Sequence, residues 1–232
     1  MPALQSKPAN GLLLWDIDGT LIRTKRPDSS SPHKNVLRRR GILFDEAKVE
    51  LSGFTDYEVF LELVNNYDEL SETQLRGIFH DLDEEAHNID EVSIFDLYPG
   101  VKEVLESLAS FGWVHGILTG NTSARMAAKL KLAGIADYFT KEFLFSCNFG
   151  NSRLDITSNA REMLNDKKYL KVLMLGDTPR DISAARFSNF PIISIATGSF
   201  SASALSSCNP DLVIQNLADD AQILLEFLKV FP

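Results

Sequence analysis

A short apolar run that ends in two acidic residues is the feature that most constrains how this chain folds. Residues 12–15 (Leu-Leu-Leu-Trp) show no alternation with polar residues. This pattern is typical of a strand that is buried on both faces, in the middle of a parallel sheet covered by helices. Such a strand is expected to end among apolar residues, but Asp16 and Asp18 follow it directly and Gly19 comes next. The sequence therefore predicts a buried strand whose end carries charge.

The spacing of the two acidic residues indicates a site at this end of the strand. Residues i and i+2 of an extended chain point to the same side, so we expect Asp16 and Asp18 to converge on one spot. Two carboxylates that close repel each other unless a cation neutralises them or one keeps its proton. Gly19 lets the chain turn away tightly, because it has no Cβ atom. An ordinary turn is the alternative interpretation, since Asp and Gly are common turn residues.

The second half of the chain alternates strands with helices. The predicted strands are 114–118, 143–145, 172–175, 192–196 and, at an edge, 211–214; the predicted helices are 101–111, 123–133, 157–166, 182–187 and 219–230. Strands that alternate with helices indicate βαβ units. The predicted fold class is therefore α/β, a doubly wound parallel sheet.

Residues 23–98 interrupt this alternation, because they contain no convincing buried strand. Apolar residues recur at helical spacing at 57–64 and 75–82, and Ser71 is a plausible helix start. We interpret this stretch as a small helical insert between the first and second strands of the sheet.

Composition and charge limit the class of protein. An apolar content of 44% and a charged content of 24% are ordinary for a soluble globular protein. The formal net charge of -9 argues against general nucleic-acid binding, and no segment approaches the ~18 apolar residues that a membrane span needs. The first ten residues lack a secretory signal, and Cys147 and Cys208 form no C-x-x-C pair. We expect a cytoplasmic protein that binds neither nucleic acid nor membrane.

Polar residues collect at the ends of three predicted strands. In open α/β sheets ligands bind beyond the carboxyl ends of the strands, so we expect these residues to share one site. They are Asp16 and Asp18 after the first strand, Thr119, Gly120 and Asn121 after strand 114–118, and Asp177 and Asp181 after strand 172–175.

The segment Thr119-Gly120-Asn121 leads straight into a predicted helix. Free backbone N–H groups and the positive end of the helix dipole form an anion pocket at such a place, and Gly120 permits close approach of the backbone. We interpret the segment as a phosphate-binding site. An ordinary helix N-cap is the alternative, because Asn, Thr and Ser all cap helices.

Carboxylates that surround a small cavity beside an anion pocket call for Mg²⁺, a hard cation that takes oxygen ligands. With the metal bound, Asp16 stays ionised and becomes a nucleophile for a phosphoryl group. Carboxylates attack phosphorus to give an aspartyl-phosphate. The pattern therefore predicts phosphoryl chemistry at this site.

Four segments, taken in order, resemble the motifs of haloacid dehalogenase superfamily phosphatases. Residues 16–21 are similar to the first motif, 118–121 to the second and 176–181 to the fourth; Arg153 fits the third, which is normally a Lys or Arg shortly before a helix. The chain resembles the phosphoglycolate phosphatase-like branch, which has a helical cap of the C1 type. The resemblance implies a core domain of residues 1–23 and 96–232 and a cap domain of residues 24–95.

The resemblance also implies a role for each acidic residue. Asp16 would be the nucleophile, and Asp18 would protonate the leaving oxygen and later deprotonate the attacking water. Mg²⁺ would bind Asp16, the backbone carbonyl of Asp18, and Asp177. Asp181 would orient a water molecule on the metal.

Two further groups of residues are implied to contact the substrate. Thr119 and Arg153 would hold the phosphoryl oxygens. Gly53, Phe54 and Thr55 lie in a segment that resembles the substrate loop of the cap, in which Phe54 stands where this family often has Arg. The cap would exclude water and select the substrate.

The predicted function is Mg²⁺-dependent hydrolysis of a small-molecule phosphate monoester. The second acid, Asp18, favours ester hydrolysis, because dehalogenases of this superfamily lack it. A phosphomutase or phosphotransferase of the same superfamily and a non-catalytic phosphate-binding protein on this fold are open alternatives. Phosphoglycolate, sugar phosphates and nucleotides are all open as substrates, and the sequence predicts no oligomeric state.

Overall fold

The computed structural model describes residues 10–25, 31–47, 51–65, 67–87, 95–165 and 171–231. Strands and α-helices alternate through most of these ranges. In chain order they are β1 (Gly11–Trp15), β2 (Ile22–Thr24), α1 (Pro32–Arg39), α2 (Asp56–Leu63), α3 (Glu72–His87), β3 (Phe95–Leu97), α4 (Val101–Ser110), β4 (Trp113–Leu118), α5 (Ser123–Leu132), β5 (Leu144–Phe145), α6 (Arg153–Asn165), β6 (Val172–Gly176), α7 (Pro179–Phe187), β7 (Ile192–Ile195), α8 (Ala202–Ser206), β8 (Leu212–Ile214) and α9 (Ala221–Val230).

Six of the strands form one parallel sheet in the order β5-β4-β1-β6-β7-β8. Strand β1 lies in the middle, and its last residue, Trp15, is in register with Ile117 of β4 and Leu175 of β6. The three strands that carry polar residues at their ends are therefore neighbours and end at one edge. The predictions of a doubly wound α/β sheet, of a central first strand and of an edge strand near residue 212 are confirmed.

The apolar run in β1 is buried on both faces, as predicted. Leu13 and Trp15 point into the core on one side of the sheet, and Leu12 and Leu14 point into the core on the other side. All four side chains are fully buried. Burial of this kind contributes about 1.5–3 kcal/mol for each large apolar side chain, which fixes β1 as the centre of the domain.

The described residues between β2 and β3, hereafter the helical insert, have an apolar core of their own. Val36 of α1, Phe60 and Leu63 of α2, and Ile78 and Leu82 of α3 are buried together. The prediction of a helical insert is confirmed in this respect, and α3 begins directly after Ser71 as predicted.

A two-stranded antiparallel ribbon of β2 and β3 flanks the helical insert. The sequence analysis finds no convincing buried strand in residues 23–98, and this ribbon is not among the predicted elements. Each strand is only three residues long, and of their residues only Ile22 and Phe95 are buried. Such short strands carry too little apolar periodicity to be recognised.

Helix α6 begins at Arg153, four residues before the predicted start at 157. The backbone N–H of Ser152 donates to the Asp155 carboxylate, and the backbone N–H of Asp155 donates to the Ser152 hydroxyl at 3.2 Å. This reciprocal pair caps the helix N-terminus. Helix α7 has Thr178 as its N-cap and Pro179 as its first residue, three residues before the predicted start at 182. Within the described ranges, every helix is too short or too polar to cross a membrane.

Candidate active site

Three buried carboxylates meet at the carboxyl edge of the central strands. One oxygen from each of Asp16, Asp177 and Asp181 lies within 4.8 Å of the others. Asp16 follows β1, Asp177 follows β6, and Asp181 lies in the first turn of α7. We call these three residues the carboxylate cluster. The sheet brings them together because β1 and β6 are hydrogen-bonded neighbours.

Glycine residues leave room for this crowding. Gly19 has a φ of +85°, which favours glycine, and a Cβ atom there would collide with the Asp177 carboxylate. A Cβ atom at Gly198 would collide with the same carboxylate. The Thr20 hydroxyl donates to Asp177 Oδ1 at 3.1 Å and fixes its orientation. The loops on both sides of Asp177 are therefore shaped to admit its carboxylate.

Arg153 is the cation that touches the carboxylate cluster. Its Nη2 atom lies 2.6 Å from Asp16 Oδ1, its Nε atom lies 2.8 Å from Asp181 Oδ1, and its side chain is 5% exposed. The N-terminal cap of α6 aims it there, because Arg153 is the first residue of that helix. Its assignment as the third-motif cation and its contact with a phosphoryl group stay predictions.

Three carboxyl groups crowd around one guanidinium in the carboxylate cluster, and this crowding disfavours their ionisation. Burial raises the pKa of Asp16 to about 7, although Arg153 opposes the shift. Burial, together with the Asp16 and Asp181 carboxylates, raises the pKa of Asp177 to about 9. Crowded, buried carboxylates with oxygen atoms this close are a fitting site for a divalent cation, which would relieve their repulsion. The donor set thus fits Mg²⁺.

Asp181 has both carboxylate oxygens engaged. Its Oδ1 atom accepts from Arg153, and its Oδ2 atom accepts from the backbone N–H of Thr178 at 3.0 Å as part of the α7 cap. A residue held this way orients its neighbours well. Its predicted action on a metal-bound water stays a prediction.

Asp18 lines the same cavity as Asp16, as its predicted convergence with Asp16 requires, but its carboxylate is not part of the carboxylate cluster. The Asp18 carboxylate binds Lys129 of α5 at 2.6 and 2.7 Å and accepts from the Asn121 amide at 2.8 Å. Strand β1 ends at Trp15, and the turn that follows no longer has the two-residue repeat of a strand. Asp16 and Asp18 therefore bind different cations.

The segment between β4 and α5 lies beside this pair. Thr119 is fully buried, and its hydroxyl accepts from the Asn121 amide at 2.7 Å. The N-cap of α5 is Thr122, whose side chain accepts from the backbone N–H of Arg125 at 3.3 Å. The alternative of an ordinary N-cap thus applies to Thr122, whereas Thr119, Gly120 and Asn121 precede the helix. Their binding of phosphate stays a prediction.

A second set of buried charges joins the helical insert to the sheet domain. The Asp56 carboxylate of α2 lies 2.8 Å from His33 Nε2 and 3.0 Å from Arg125 Nε, and it accepts from the backbone N–H of Thr122 at 2.7 Å. We call His33, Asp56, Thr122 and Arg125 the bridging cluster. Burial opposes ionisation of Asp56, but Arg125 and His33 outweigh it and hold the pKa of Asp56 well below its usual range. Burial also lowers the pKa of His33.

Sequence reasoning missed the bridging cluster and Lys129. Asp56 lies 66 residues from Thr122, and Asp18 lies 111 residues from Lys129. No local motif connects such pairs, and charged residues on amphipathic helices are usually solvated. One signal was available for Asp56, because Thr55-x-x-Glu58 is a capping-box pattern that fixes the start of α2.

The predicted substrate loop packs on the sheet domain. The Phe54 ring lies over the Arg180 guanidinium at 3.6 Å, and the Thr55 hydroxyl donates to the backbone carbonyl of Asn151 at 2.5 Å. A Cβ atom at Gly53 would lie 2.7 Å from the Thr178 hydroxyl oxygen. The loop therefore contacts the segment that carries Asp177 and Asp181. Its contact with substrate stays a prediction.

A cavity of about 590 Å³ lies between the helical insert and the sheet edge. Asp16, Asp18 and Arg153 line it from the sheet side, and His33 and Phe54 line it from the side of the insert. This volume accommodates a small metabolite together with a metal ion.

Comparison with known proteins agrees with this geometry. A family model described as haloacid dehalogenase-like hydrolase matches residues 11–189. The chain is 30% identical to a phosphoglycolate phosphatase of Nitrosococcus oceani, over 92% of this chain and 96% of the relative. It is 26% identical to a phosphoglycolate phosphatase of Vibrio vulnificus, with the same coverage of each chain. The crystal structure of a hydrolase from Pseudomonas syringae has a TM-score of 0.67 at 16% identity and covers 93% of this chain and 98% of that one.

These comparisons confirm the predicted family and the prediction of a hydrolase. The family model covers all four motif segments and Lys129. The curated relatives match over nearly their whole length, so the likeness includes the helical insert as well as the sheet. The chain belongs to the haloacid dehalogenase-like hydrolases.

Proposed function

We propose that this protein is a Mg²⁺-dependent phosphatase that hydrolyses a small-molecule phosphate monoester through an aspartyl-phosphate on Asp16. The observation that carries the proposal is the carboxylate cluster, in which three buried carboxylates face one arginine. A binding protein for phosphate would gain nothing from buried negative charge beside its ligand. An enzyme that uses a carboxylate as nucleophile and a divalent cation requires it.

The residues divide the reaction between them. The Asp16 carboxylate attacks phosphorus, the bond from phosphorus to the ester oxygen breaks, and the ester oxygen takes the proton of Asp18 as it leaves. Asp18 then accepts a proton from water as the water oxygen attacks phosphorus, which breaks the bond to Asp16 and releases inorganic phosphate. Arg153 holds Asp16 in place and lies where phosphoryl oxygens would gather. Mg²⁺, held by Asp16, Asp177 and the carbonyl of Asp18, would neutralise charge on those oxygens.

The helical insert acts as the cap of the site. Residues 24–95 form this cap domain, and residues 1–23 and 96–232 form the core domain. Asp56, Phe54 and Thr55 all bind the core, so the insert closes the cavity over Asp16 and excludes water from it. Gly53 and Phe54 line the cavity, and we expect them to contact substrate. Thr55 is fully buried and does not line the cavity, so we expect it to hold the loop on the core through Asn151.

Phosphoglycolate is the first substrate to test, because the relatives from Nitrosococcus oceani and Vibrio vulnificus are phosphoglycolate phosphatases. Phe54 replaces an arginine that is frequent in the corresponding loop of the family, so sugar phosphates and nucleotides belong in the same screen. We place the protein in the cytoplasm, which agrees with its predicted use of a small soluble substrate.

The test is phosphate release from p-nitrophenyl phosphate and from phosphoglycolate, with Mg²⁺ and with EDTA. We expect turnover of p-nitrophenyl phosphate with Mg²⁺ only, and a loss of at least about 10³-fold in Asp16→Asn. Asp137→Asn, which changes an exposed carboxylate, is the matched control and should retain full activity. Activity of Asp16→Asn at the wild-type level, or equal activity with EDTA, would exclude the proposal.

The same assay separates hydrolysis from transfer. A phosphatase releases one inorganic phosphate for each alcohol formed. A phosphomutase or phosphotransferase forms the alcohol, or an isomeric phosphate ester, without a matching amount of inorganic phosphate. We expect a ratio of one, and a ratio well below one with an added sugar phosphate would favour the transferase alternative.

A further inference from the structure

Lys129 is a buried lysine that the proposed chemistry does not yet use. It lies in α5, and its side chain is 7% exposed. Its neighbours along the helix, Met126 and Leu130, are buried in the main apolar core. An ammonium group in such surroundings costs several kcal/mol unless its charge is paired and its donors are hydrogen-bonded.

The donors of Lys129 are all used within the protein. Its Nζ atom lies 2.7 Å from Asp18 Oδ1, 2.6 Å from Asp18 Oδ2 and 2.7 Å from Asn121 Oδ1. An ammonium group has three N–H donors. None remains for a substrate oxygen, so the contacts argue against direct binding of substrate by Lys129.

Asn121 closes a ring around the Asp18 carboxylate. Its amide nitrogen donates to Asp18 Oδ2 at 2.8 Å and to the Thr119 hydroxyl at 2.7 Å, while its amide oxygen accepts from Lys129. The two amide donors and the amide oxygen are thus fully assigned. The ring fixes the direction of the Asp18 carboxylate relative to Thr119.

Asp18 itself is open to the cavity. Its side chain is 43% exposed, whereas that of Asp16 is 10% exposed. Lys129 therefore binds the Asp18 carboxylate while part of that carboxylate stays accessible from the cavity. Arg153 contacts the Asp16 carboxylate through its Nη2 atom at 2.6 Å. Asp16 and Asp18 therefore each have a cation of their own, although only Ile17 separates them in the chain.

We propose that Lys129 is a positioning residue for Asp18. It holds the Asp18 carboxylate at the side of the cavity where the leaving group lies, so that Asp18 can transfer a proton directly to the ester oxygen. The inference rests on the proposed function. During the reaction the proton moves from Asp18 to the leaving oxygen while the bond from phosphorus to that oxygen breaks, and Lys129 keeps its own protons throughout. Its contribution is the geometry of Asp18.

The leaving group distinguishes this role from a merely structural one. p-Nitrophenolate leaves without a proton, whereas the alkoxide of phosphoglycolate requires one. We expect Lys129→Met to lower kcat/KM, which reports transfer of the phosphoryl group to Asp16, about 100-fold for phosphoglycolate and less than about tenfold for p-nitrophenyl phosphate, since general acid catalysis contributes about 10²–10⁴-fold. The value of kcat also includes the attack of water on the aspartyl-phosphate, a step that uses Asp18 and is common to both esters, so kcat should fall for both. Lys131→Met, which alters an exposed lysine of the same helix, should leave the kinetic constants for both esters unchanged.

A double-mutant cycle protects the test against misfolding. Asp18→Asn leaves Lys129 buried without its carboxylate, and Asp18→Asn combined with Lys129→Met removes both charges. If Lys129 acts through Asp18, Lys129→Met lowers kcat for phosphoglycolate in the wild-type background but not in the Asp18→Asn background. Lys129→Arg, which keeps the charge, should recover at least part of the lost kcat.

The outcomes are distinguishable from those for the proposed function. No phosphate release by the wild-type protein from either ester overturns the proposed function and this inference with it. An active wild type in which Lys129→Met lowers kcat/KM equally for both esters overturns only the inference. So does a loss of kcat on Lys129→Met that persists in the Asp18→Asn background.

Discussion

The carboxylate cluster and the bridging cluster are both buried and charged, but their charges balance differently. The carboxylate cluster sets three acidic groups against Arg153, and the pKa values of Asp16 and Asp177 are raised. In the bridging cluster Asp56 faces Arg125, and the pKa of Asp56 is lowered. The first cluster has oxygen donors suited to a further cation. The second is complete and joins two parts of the structure. We infer that crowded carboxyl groups with few cationic partners indicate a catalytic site. Buried carboxylates that are paired with a cation indicate a structural contact between the insert and the sheet domain.

The largest contrast is expected from neutralising one carboxylate of the carboxylate cluster. Asp177→Asn should lower kcat by at least about 10³-fold, because it removes a predicted metal ligand. The same change should raise the Tm of the metal-free protein by about 2–8 °C, because it removes repulsion among buried carboxylates. Activity assays and thermal unfolding in EDTA measure the two effects, with Asp137→Asn as control. A lower Tm together with full activity would remove the distinction between the clusters.

The same chemical change in the bridging cluster should have the opposite effect on stability. Asp56→Asn leaves Arg125, whose side chain is only 12% exposed, without its carboxylate, which costs about 3 kcal/mol of unfolding free energy. Urea unfolding at neutral pH measures this loss. We also expect a higher KM, since the helical insert is held less firmly over the cavity. An Asp56→Asn protein as stable as the wild type would show that Asp56 does not stabilise the contact between the helical insert and the sheet domain.

The pH dependence of stability sharpens the contrast further. In the folded protein the pKa of Asp177 is raised from 3.8 to about 9, so its contribution to stability is present below pH ~4 and is lost as the pH rises towards 9. The stability gained by Asp177→Asn in EDTA should therefore grow between pH 5 and pH 9. The pKa of Asp56 is lowered, so the stability lost in Asp56→Asn should be full at pH 7 and shrink as the pH falls below about 4. Urea unfolding of the wild type and both variants at several pH values measures the two stability differences. We expect the gain in Asp177→Asn and the loss in Asp56→Asn both to increase with pH, so the two changes in unfolding free energy have opposite signs of slope.

A smaller change in kinetics is expected from the contact between Phe54 of the insert and Arg180 of the core. Phe54→Leu removes the aromatic face over Arg180, an interaction that is worth about 1 kcal/mol. We expect KM to rise about fivefold with little change in kcat. Leu61→Ala, on the exposed side of α2, is the matched control. A change in kcat alone would place Phe54 in the chemistry and not in closure.

The carboxylate cluster was predictable because each member directly follows a strand or a strand and its turn. A parallel sheet brings such ends together whatever their distance along the chain, so Asp16 and Asp177 could be paired without a structure. Arg153 was recognised from its resemblance to a motif and from the helix after it. The pattern Ser152-x-x-Asp155 also fixes the start of α6, and the prediction that began this helix at 157 overlooked it.

The bridging cluster and Lys129 were not predictable, because their positions depend on how helices pack. Arg125 and Lys129 lie four residues apart on α5, a spacing that is equally typical of a solvated helix face. Only the packing of α5 beneath Asp18 and Asp56 shows that they are buried partners. The pairing of Asp18 with Lys129, and not with the carboxylate cluster, depends on the same packing of α5.

The most direct test of the account is to trap the phosphoryl group on the protein. In Asp18→Asn, p-nitrophenyl phosphate can still transfer its phosphoryl group, but the water that hydrolyses the intermediate loses its base. The variant is mixed with this ester and Mg²⁺, quenched in acid and analysed by mass spectrometry of its peptides. We predict one phosphoryl group on Asp16, absent when EDTA replaces Mg²⁺ and absent in Asp16→Asn. Release of p-nitrophenol with no phosphoryl group on Asp16, or with the group on another residue, would contradict the account.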